Sequence, residues 1–134
     1  MGINTYKNPK KIIDSGEVGD IKLGNFTFAF PGVQSWHPNP EPWFAKKEGG
    51  PAIDMGPYYL TALVNLLGPA KQVWGSLMKS KKKRRIGIGP KKGKLIKVNC
   101  PTTYLGTIFF KNNSIIRFTL SFDVISEKTW LWIS

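Results

Sequence analysis

Asp54 and Tyr58 are the residues whose types and spacing best suit proton transfer. They stand four positions apart in the segment from Gly49 to Leu60, and on a helix that spacing places both side chains on one face. The positive end of the helix dipole favours an ionised carboxylate there. A phenol beside a carboxylate can exchange a proton with a hydroxyl or carbonyl substrate. The spacing fits equally well an Asp54 that only caps the helix and a Tyr58 that belongs to the core.

The loop before this helix is the second candidate for chemistry. Residues 32 to 50 combine prolines and glycines with Trp36, His37 and Trp43. A loop of this length in a small domain is usually functional or disordered, and its aromatic content argues against disorder. His37 is the only histidine and Cys100 the only cysteine, which excludes a structural zinc site and an internal disulfide. His37 either hydrogen-bonds a substrate or fills the loop.

Two basic segments look like ligand-binding motifs. The run Lys79 to Arg85 could bind phosphate or act as a targeting signal. Because it contains no aromatic residue on which bases could stack, we favour a solvated loop between two strands, with no specific nucleic acid partner. The segment Gly87 to Lys94 resembles a phosphate loop, but Leu95 replaces the required Ser or Thr, and Pro90 lacks an N–H. We therefore expect no dinucleotide site in this segment.

The elements that position these residues indicate an α+β domain. Asn8 as N-cap, Pro9 at the first position and Gly16 beyond the end predict a short helix. A second helix is predicted over 51–67, with Pro57 kinking or separating its first turn. Alternating apolar residues predict strands at 25–30 and 116–122, and further runs predict strands at 73–78, 95–98, 102–110 and 130–133. Two helices and about six strands, mostly joined by hairpins, indicate an open, largely antiparallel sheet.

Composition limits the classes that need considering. The chain has 134 residues, 41% of them apolar, which suits one domain with a core and excludes a disordered protein. Its formal charge of +12 attracts anions whether or not binding them is the function. No secretory signal and no apolar run of membrane-spanning length is present, so we expect a cytoplasmic protein without a membrane partner.

Three segments together point to a known family. They are Ile13 to Gly19, Trp36 to Pro40, and the long stretch from Gly49 to Pro69, and Ser121 to Val124 adds a fourth. With these segments, the region from Ile12 to Val124 resembles the C-terminal domain of the Gfo/Idh/MocA oxidoreductases. The resemblance implies an open sheet of the dihydrodipicolinate-reductase-like type, as in the C-terminal domain of glucose-fructose oxidoreductase.

The resemblance also implies an activity and roles for residues. Such enzymes oxidise a sugar or polyol, or reduce the ketone, with NAD or NADP. Asp54 matches the family's aspartate and Tyr58 stands where histidine is commoner, which implies that both are catalytic. The same resemblance places Trp36, His37 and Trp43 along the substrate pocket.

The family pattern has a further part that this sequence does not show. Family members carry an N-terminal Rossmann domain for the cofactor, and no glycine fingerprint or Glu-Lys-Pro motif is present here. We therefore expect residues 1–134 to be a single, C-terminally truncated substrate and oligomerisation domain. By itself it should be inactive and bind no cofactor, and it should form a homo-oligomer through its sheet face. A fragment that acts only in subunit pairing, or a basic nucleic-acid-binding module, are the alternatives.

Overall fold

A four-stranded mixed sheet is the main element of residues 8–125, the part of the chain that this computed structural model describes. The strands are β1 (Leu23–Ala29), β2 (Ala70–Met78), β3 (Lys83–Arg85), β4 (Leu95–Lys97), β5 (Thr103–Phe110) and β6 (Ile115–Ser121). The main sheet has the order β1-β6-β5-β2, while β3 and β4 form a separate antiparallel pair. β5 is antiparallel to both of its neighbours, and β1 is parallel to β6. The predicted α+β class is confirmed, and the predicted strand at 130–133 lies outside the described residues.

The helices begin and end at residues that favour such boundaries. They are α1 (Pro9–Asp14), α2 (Glu41–Phe44), α3 (Pro51–Asp54) and α4 (Gly56–Leu67). The Asn8 side chain accepts a hydrogen bond of 3.0 Å from the N–H of Lys10, as an N-cap does. The predicted helix over 51–67 is divided at Met55, where φ is −113°, two residues before Pro57. α2 lies inside the segment predicted as a loop.

Two apolar clusters hold these elements together. In the first, α4 packs on the inner face of the sheet through Tyr59, Leu63, Leu66 and Leu67, against Phe26, Ile108, Ile116 and Leu120. Leu60 lies outside this stripe and is 40% exposed. The second cluster fills the space beneath the β3–β4 pair, with Val33, Phe44, Ile86, Ile96, Val98, Cys100 and Phe122.

The basic run at 79–85 differs from its prediction. Residues 83–85 form β3 rather than a solvated loop, and Arg84 is only 6% exposed. Because successive side chains of a strand point to opposite faces, Lys83 and Arg85 face outward while Arg84 faces the core. The alternating pattern of a short strand was hidden because residues 81–85 are all basic.

The strand β2 forms one edge of the sheet and is exposed along its whole length. Its exposed apolar side chains include Val73 on one face and Trp74 on the other. Among residues 8–125, no helix is long and apolar enough to cross a membrane.

Candidate functional site

A cavity of about 540 Å³ lies between β1, the loop that follows it, and the start of α4. Its walls are mainly aromatic, with Phe28, Phe30, Trp36, Trp43 and Tyr59 among the lining residues. Asp54 is the single charged residue of that lining. Aromatic walls with a single carboxylate suit a small organic ligand that carries hydroxyl groups.

The position of Asp54 and Trp43 depends on a close backbone approach. Gly50 has φ +89°, and a side chain there would collide with the carbonyl of Pro101. Its N–H donates a 2.7 Å hydrogen bond to the carbonyl of Trp43, and the N–H of Asp54 donates to the carbonyl of Gly50 at 3.2 Å. This short path joins the end of α2 to α3 and holds both side chains at the cavity.

Cys100 binds the same carbonyl of Trp43 that accepts from Gly50. Its Sγ lies 3.3 Å from the carbonyl oxygen of Trp43 and donates to it. Burial raises the pKa of the Cys100 thiol, which favours the protonated form that can donate. The only cysteine therefore has a structural place beside the cavity, and the structure gives it no access to solvent.

His37 lies behind the cavity wall rather than in its lining. Its ring is in contact with both tryptophans, with centroids 5.6 Å from Trp36 and 4.9 Å from Trp43. Its Nδ1 accepts a 3.0 Å hydrogen bond from the N–H of Asn39. These contacts fix the orientation of the ring, so that His37 supports the two tryptophans.

The two tyrosines at the start of α4 occupy different places. Tyr58 is 71% exposed and lies outside the cavity lining, although Asp54 lies inside it. Tyr59 lines the cavity, stacks on Phe26 and packs at a tilt against Phe28, with ring centroids 5.2 and 5.6 Å away. The sequence analysis missed Tyr59, although its spacing of four from Leu63 follows the apolar stripe of α4.

A buried charge network holds the loop that carries Trp36. Arg84 donates from Nη1 to the carbonyl of Pro31 at 2.9 Å, just before that loop, and forms an ion pair with Asp123. Its guanidinium also lies 4.9 Å from the ring centre of Phe44, next to Trp43. Arg84 therefore contacts the residue next to Trp43 and the start of the loop that carries Trp36.

Asp123 is the centre of this network. It accepts hydrogen bonds from Thr102 (2.7 Å) and Thr103 (2.6 Å), and also from Ser80 and Arg84. Burial by itself would raise the pKa of the Asp123 carboxyl. The hydrogen bonds from the three hydroxyls and the charge of Arg84 outweigh burial and hold that pKa below its usual value.

The glycine-rich segment 87–94 does not fit a dinucleotide. It connects two short strands, whereas a pyrophosphate cradle joins a strand to a helix. Two of its glycine N–H groups already bind protein carbonyls: Gly87 donates to Gln34 and Gly93 to Ile86, both at 2.8 Å. Residues 8–125 also contain no group of three acidic, histidine or cysteine side chains that could hold a metal ion.

Comparison with known proteins identifies the class. The family model described as the GFO/IDH/MocA C-terminal domain matches residues 6–134. The chain therefore belongs to the Gfo/Idh/MocA oxidoreductase family and corresponds to its C-terminal domain. A comparison with curated proteins gives no match.

Solved structures with the same fold include three that cover 93% of this chain, each with a TM-score of 0.69. They are the WlbA dehydrogenase from Bordetella pertussis in complex with NADH and UDP-GlcNAcA (16% identity), levoglucosan dehydrogenase in complex with NADH and L-sorbose (19%), and an NAD-binding oxidoreductase from Klebsiella pneumoniae (19%). The chain spans 32%, 32% and 33% of their respective lengths, about one third.

Proposed function

We propose that this chain is the substrate-side domain of an NAD- or NADP-dependent oxidoreductase that acts on the CH–OH group of a sugar or polyol. The observation that carries the proposal is the 540 Å³ cavity, which combines aromatic walls with the single carboxylate of Asp54. Aromatic faces suit the C–H faces of a sugar ring, and a carboxylate accepts hydrogen bonds from its hydroxyls. Family membership and the sugar-like ligands of the WlbA and levoglucosan dehydrogenase structures support the same substrate class.

In this proposal the chain binds the substrate and a separate domain binds the cofactor, which accepts the hydride. Trp36 and Trp43 hold the ring of the substrate, and His37 keeps the two indoles in place. Asp54 orients a substrate hydroxyl. Because Tyr58 is exposed at the start of α4, beyond the cavity, a domain that docks there would bring cofactor, substrate and phenol together. Tyr58 then exchanges the hydroxyl proton.

The decisive experiment joins this chain to the cofactor domain of a structural relative such as levoglucosan dehydrogenase. NADH formation is measured with a panel of sugars and polyols. We expect Tyr58→Phe to reduce kcat by about a hundredfold or more, which is the usual contribution of a general acid or base. Tyr104→Phe is the matched control, because that phenol lies in the apolar cluster beneath the sheet. Equal rates for Tyr58→Phe and the unmodified enzyme would exclude Tyr58 as the proton carrier.

Binding by the chain alone tests the pocket separately from catalysis. Trp36 and Trp43 should report a bound sugar through a change in their fluorescence. Trp36→Ala should weaken that response, whereas Trp74→Ala, at the outer sheet face, should not. Sugar binding by the chain, combined with equal turnover of Tyr58→Phe and the unmodified enzyme, would show that the assignment of Tyr58 is wrong while the proposed pocket still holds.

A homo-oligomer through the outer sheet face is part of the same proposal. This face has a shallow groove of about 670 Å³ whose lining includes Trp74, Leu105 and Arg117. Trp74 is 65% and Leu105 49% exposed, which is unusual for large apolar side chains grouped on one surface. Light scattering at micromolar concentration should show a dimer that Trp74→Glu disrupts. Val73→Glu, on the opposite face of β2, is the matched control, and a clean monomer would contradict this interface.

A further inference from the structure

We propose that the outer surface of residues 79–97, the basic ribbon, binds the phosphate backbone of double-stranded nucleic acid. The proposal does not depend on the oxidoreductase function. The ribbon contains the β3–β4 pair with its connecting loop and the segment that leads into β3. It holds ten of the chain's twenty lysines and arginines and no acidic residue.

Few of these charges are neutralised within the described part of the chain. Arg84 pairs with Asp123, and Lys91 and Lys94 share Glu41 at 3.6 and 3.1 Å. The remaining cations of the ribbon have no carboxylate within ion-pair distance among residues 8–125, and all of them are exposed. They are Lys79, Lys81, Lys82, Lys83, Arg85, Lys92 and Lys97. Lys83, Arg85 and Lys97 lie on the outer face of the strand pair, and the other four lie in the segments that flank or connect its strands.

The strand register increases the repulsion on this surface. Lys83 lies directly opposite Lys97 in the antiparallel pair, and both side chains are exposed. Like charges in that position are destabilising in a folded protein. A bound polyanion would reduce this repulsion, so that binding would also stabilise the pairing of β3 with β4.

The inner face of the ribbon packs into the core of the domain. Arg84, Ile86, Ile96 and Val98 are buried beneath it, and the N–H of Gly87 binds the carbonyl of Gln34 at 2.8 Å. The sequence alone favoured a solvated loop, in which each lysine would move independently. The anchored strands instead carry their charges on an ordered surface, so a ligand that contacts several of them needs to order less of the backbone.

The chemistry of the ribbon favours a duplex backbone over other polyanions. Lysine, which dominates the ribbon, binds phosphate as a point charge and does not read base edges. No aromatic side chain lies in residues 79–97, so single strands would find no stacking platform. An anionic membrane would favour bulky apolar side chains beside the charges, and only Ile88 and Leu95 are apolar and partly exposed there.

The expected salt dependence follows from the number of contacts. If six of the free cations meet phosphates, the logarithm of the binding constant should fall with the logarithm of salt concentration with a slope of about −5. The variant Lys81→Gln/Lys83→Gln/Lys97→Gln should reduce the magnitude of that slope by about 3. We expect it to weaken binding at least about tenfold at low salt, by fluorescence anisotropy with a labelled duplex of twenty base pairs.

The matched control removes the same charge elsewhere. Lys71 and Lys111 are exposed at the far end of β2 and β5, and Lys11 is exposed in α1. The variant Lys11→Gln/Lys71→Gln/Lys111→Gln should keep the slope and most of the affinity, and circular dichroism checks that both variants fold. Equal losses in the two variants would show that total charge alone binds the duplex. Equally tight binding to polyglutamate, to a single strand of matched length or to anionic vesicles would also overturn the assignment.

Discussion

Removal of the Asp123 carboxylate should be among the most damaging single changes in this domain. Arg84 is buried, and its side chain is only 5% exposed, so Asp123→Ala leaves its charge without the ion-pair partner. The hydroxyls of Thr102, Thr103 and Ser80 lose their shared acceptor at the same time. Breaking one partner of a buried pair costs about 3–5 kcal/mol of unfolding free energy. For a domain of this length that corresponds to a decrease in Tm of about 10–20 °C.

The assay is guanidinium unfolding followed by tryptophan fluorescence, together with a thermal melt. Asp14→Ala is the matched control, because Asp14 also forms an ion pair, with Lys10 at 2.7 Å, but the two side chains are 55% and 38% exposed. Such a helical surface pair is worth only about 0.3–0.5 kcal/mol. If Asp123→Ala costs less than about 1 kcal/mol, similar to the control, the network around Asp123 does not hold the domain together as inferred.

The same network sets a dependence on pH. Since the pKa of Asp123 in the folded state lies below its unfolded value, the carboxylate stabilises the fold at pH values above the unfolded pKa. That contribution is lost as the pH falls through the lower, folded value. The unfolding free energies of the unmodified chain and of Asp123→Ala should therefore converge below about pH 4. A difference that stays constant down to the acid limit would contradict this assignment.

Two further predictions concern packing and the cofactor. Gly106→Ala should lower the free energy of unfolding by about 1–3 kcal/mol, because a methyl group there would collide with the carbonyl of Trp74 and the ring of Phe118. Gly56→Ala in α4 is the control, since the nearest atom is 3.9 Å away, and it should leave that free energy unchanged or raise it. Denaturant unfolding of both variants measures the difference. The chain alone should not bind NADH measurably, because the glycine-rich segment joins two strands rather than a strand and a helix, and the N–H groups of Gly87 and Gly93 already donate to protein carbonyls. Calorimetry with NADH and with pyrophosphate separates the cases, and micromolar NADH binding that pyrophosphate does not reproduce would refute the second prediction.

Local signals in the sequence were sufficient for most individual elements. Asn8 and Pro9 begin α1 as predicted, because a side-chain cap and a fixed φ act within a few residues. The alternation of apolar residues located β6 and the inner face of the sheet. The predicted α+β class was also confirmed. The sequence shows both the apolar spacing of a helix and the alternation of strands, and such elements bury their apolar faces by packing helices on a sheet. For the site, the sequence predicted Asp54, Trp36, His37, Trp43 and Tyr58, and the structure places Asp54, Trp36 and Trp43 around one cavity.

Only the tertiary structure decided how distant segments meet. The parallel pairing of β1 with β6 joins residues about ninety positions apart, and no local pattern encodes such a partner. Arg84 turned inward because Asp123 and the neighbouring hydroxyls, far along the chain, compensate its burial. The break at Met55 places Asp54 and Tyr58 on different helices. Packing of α4 against β1 and β6 determines which face of that helix is buried, and this face carries Tyr59. Residue types and local spacing determine which elements form, whereas contacts between distant side chains determine which residues share a site.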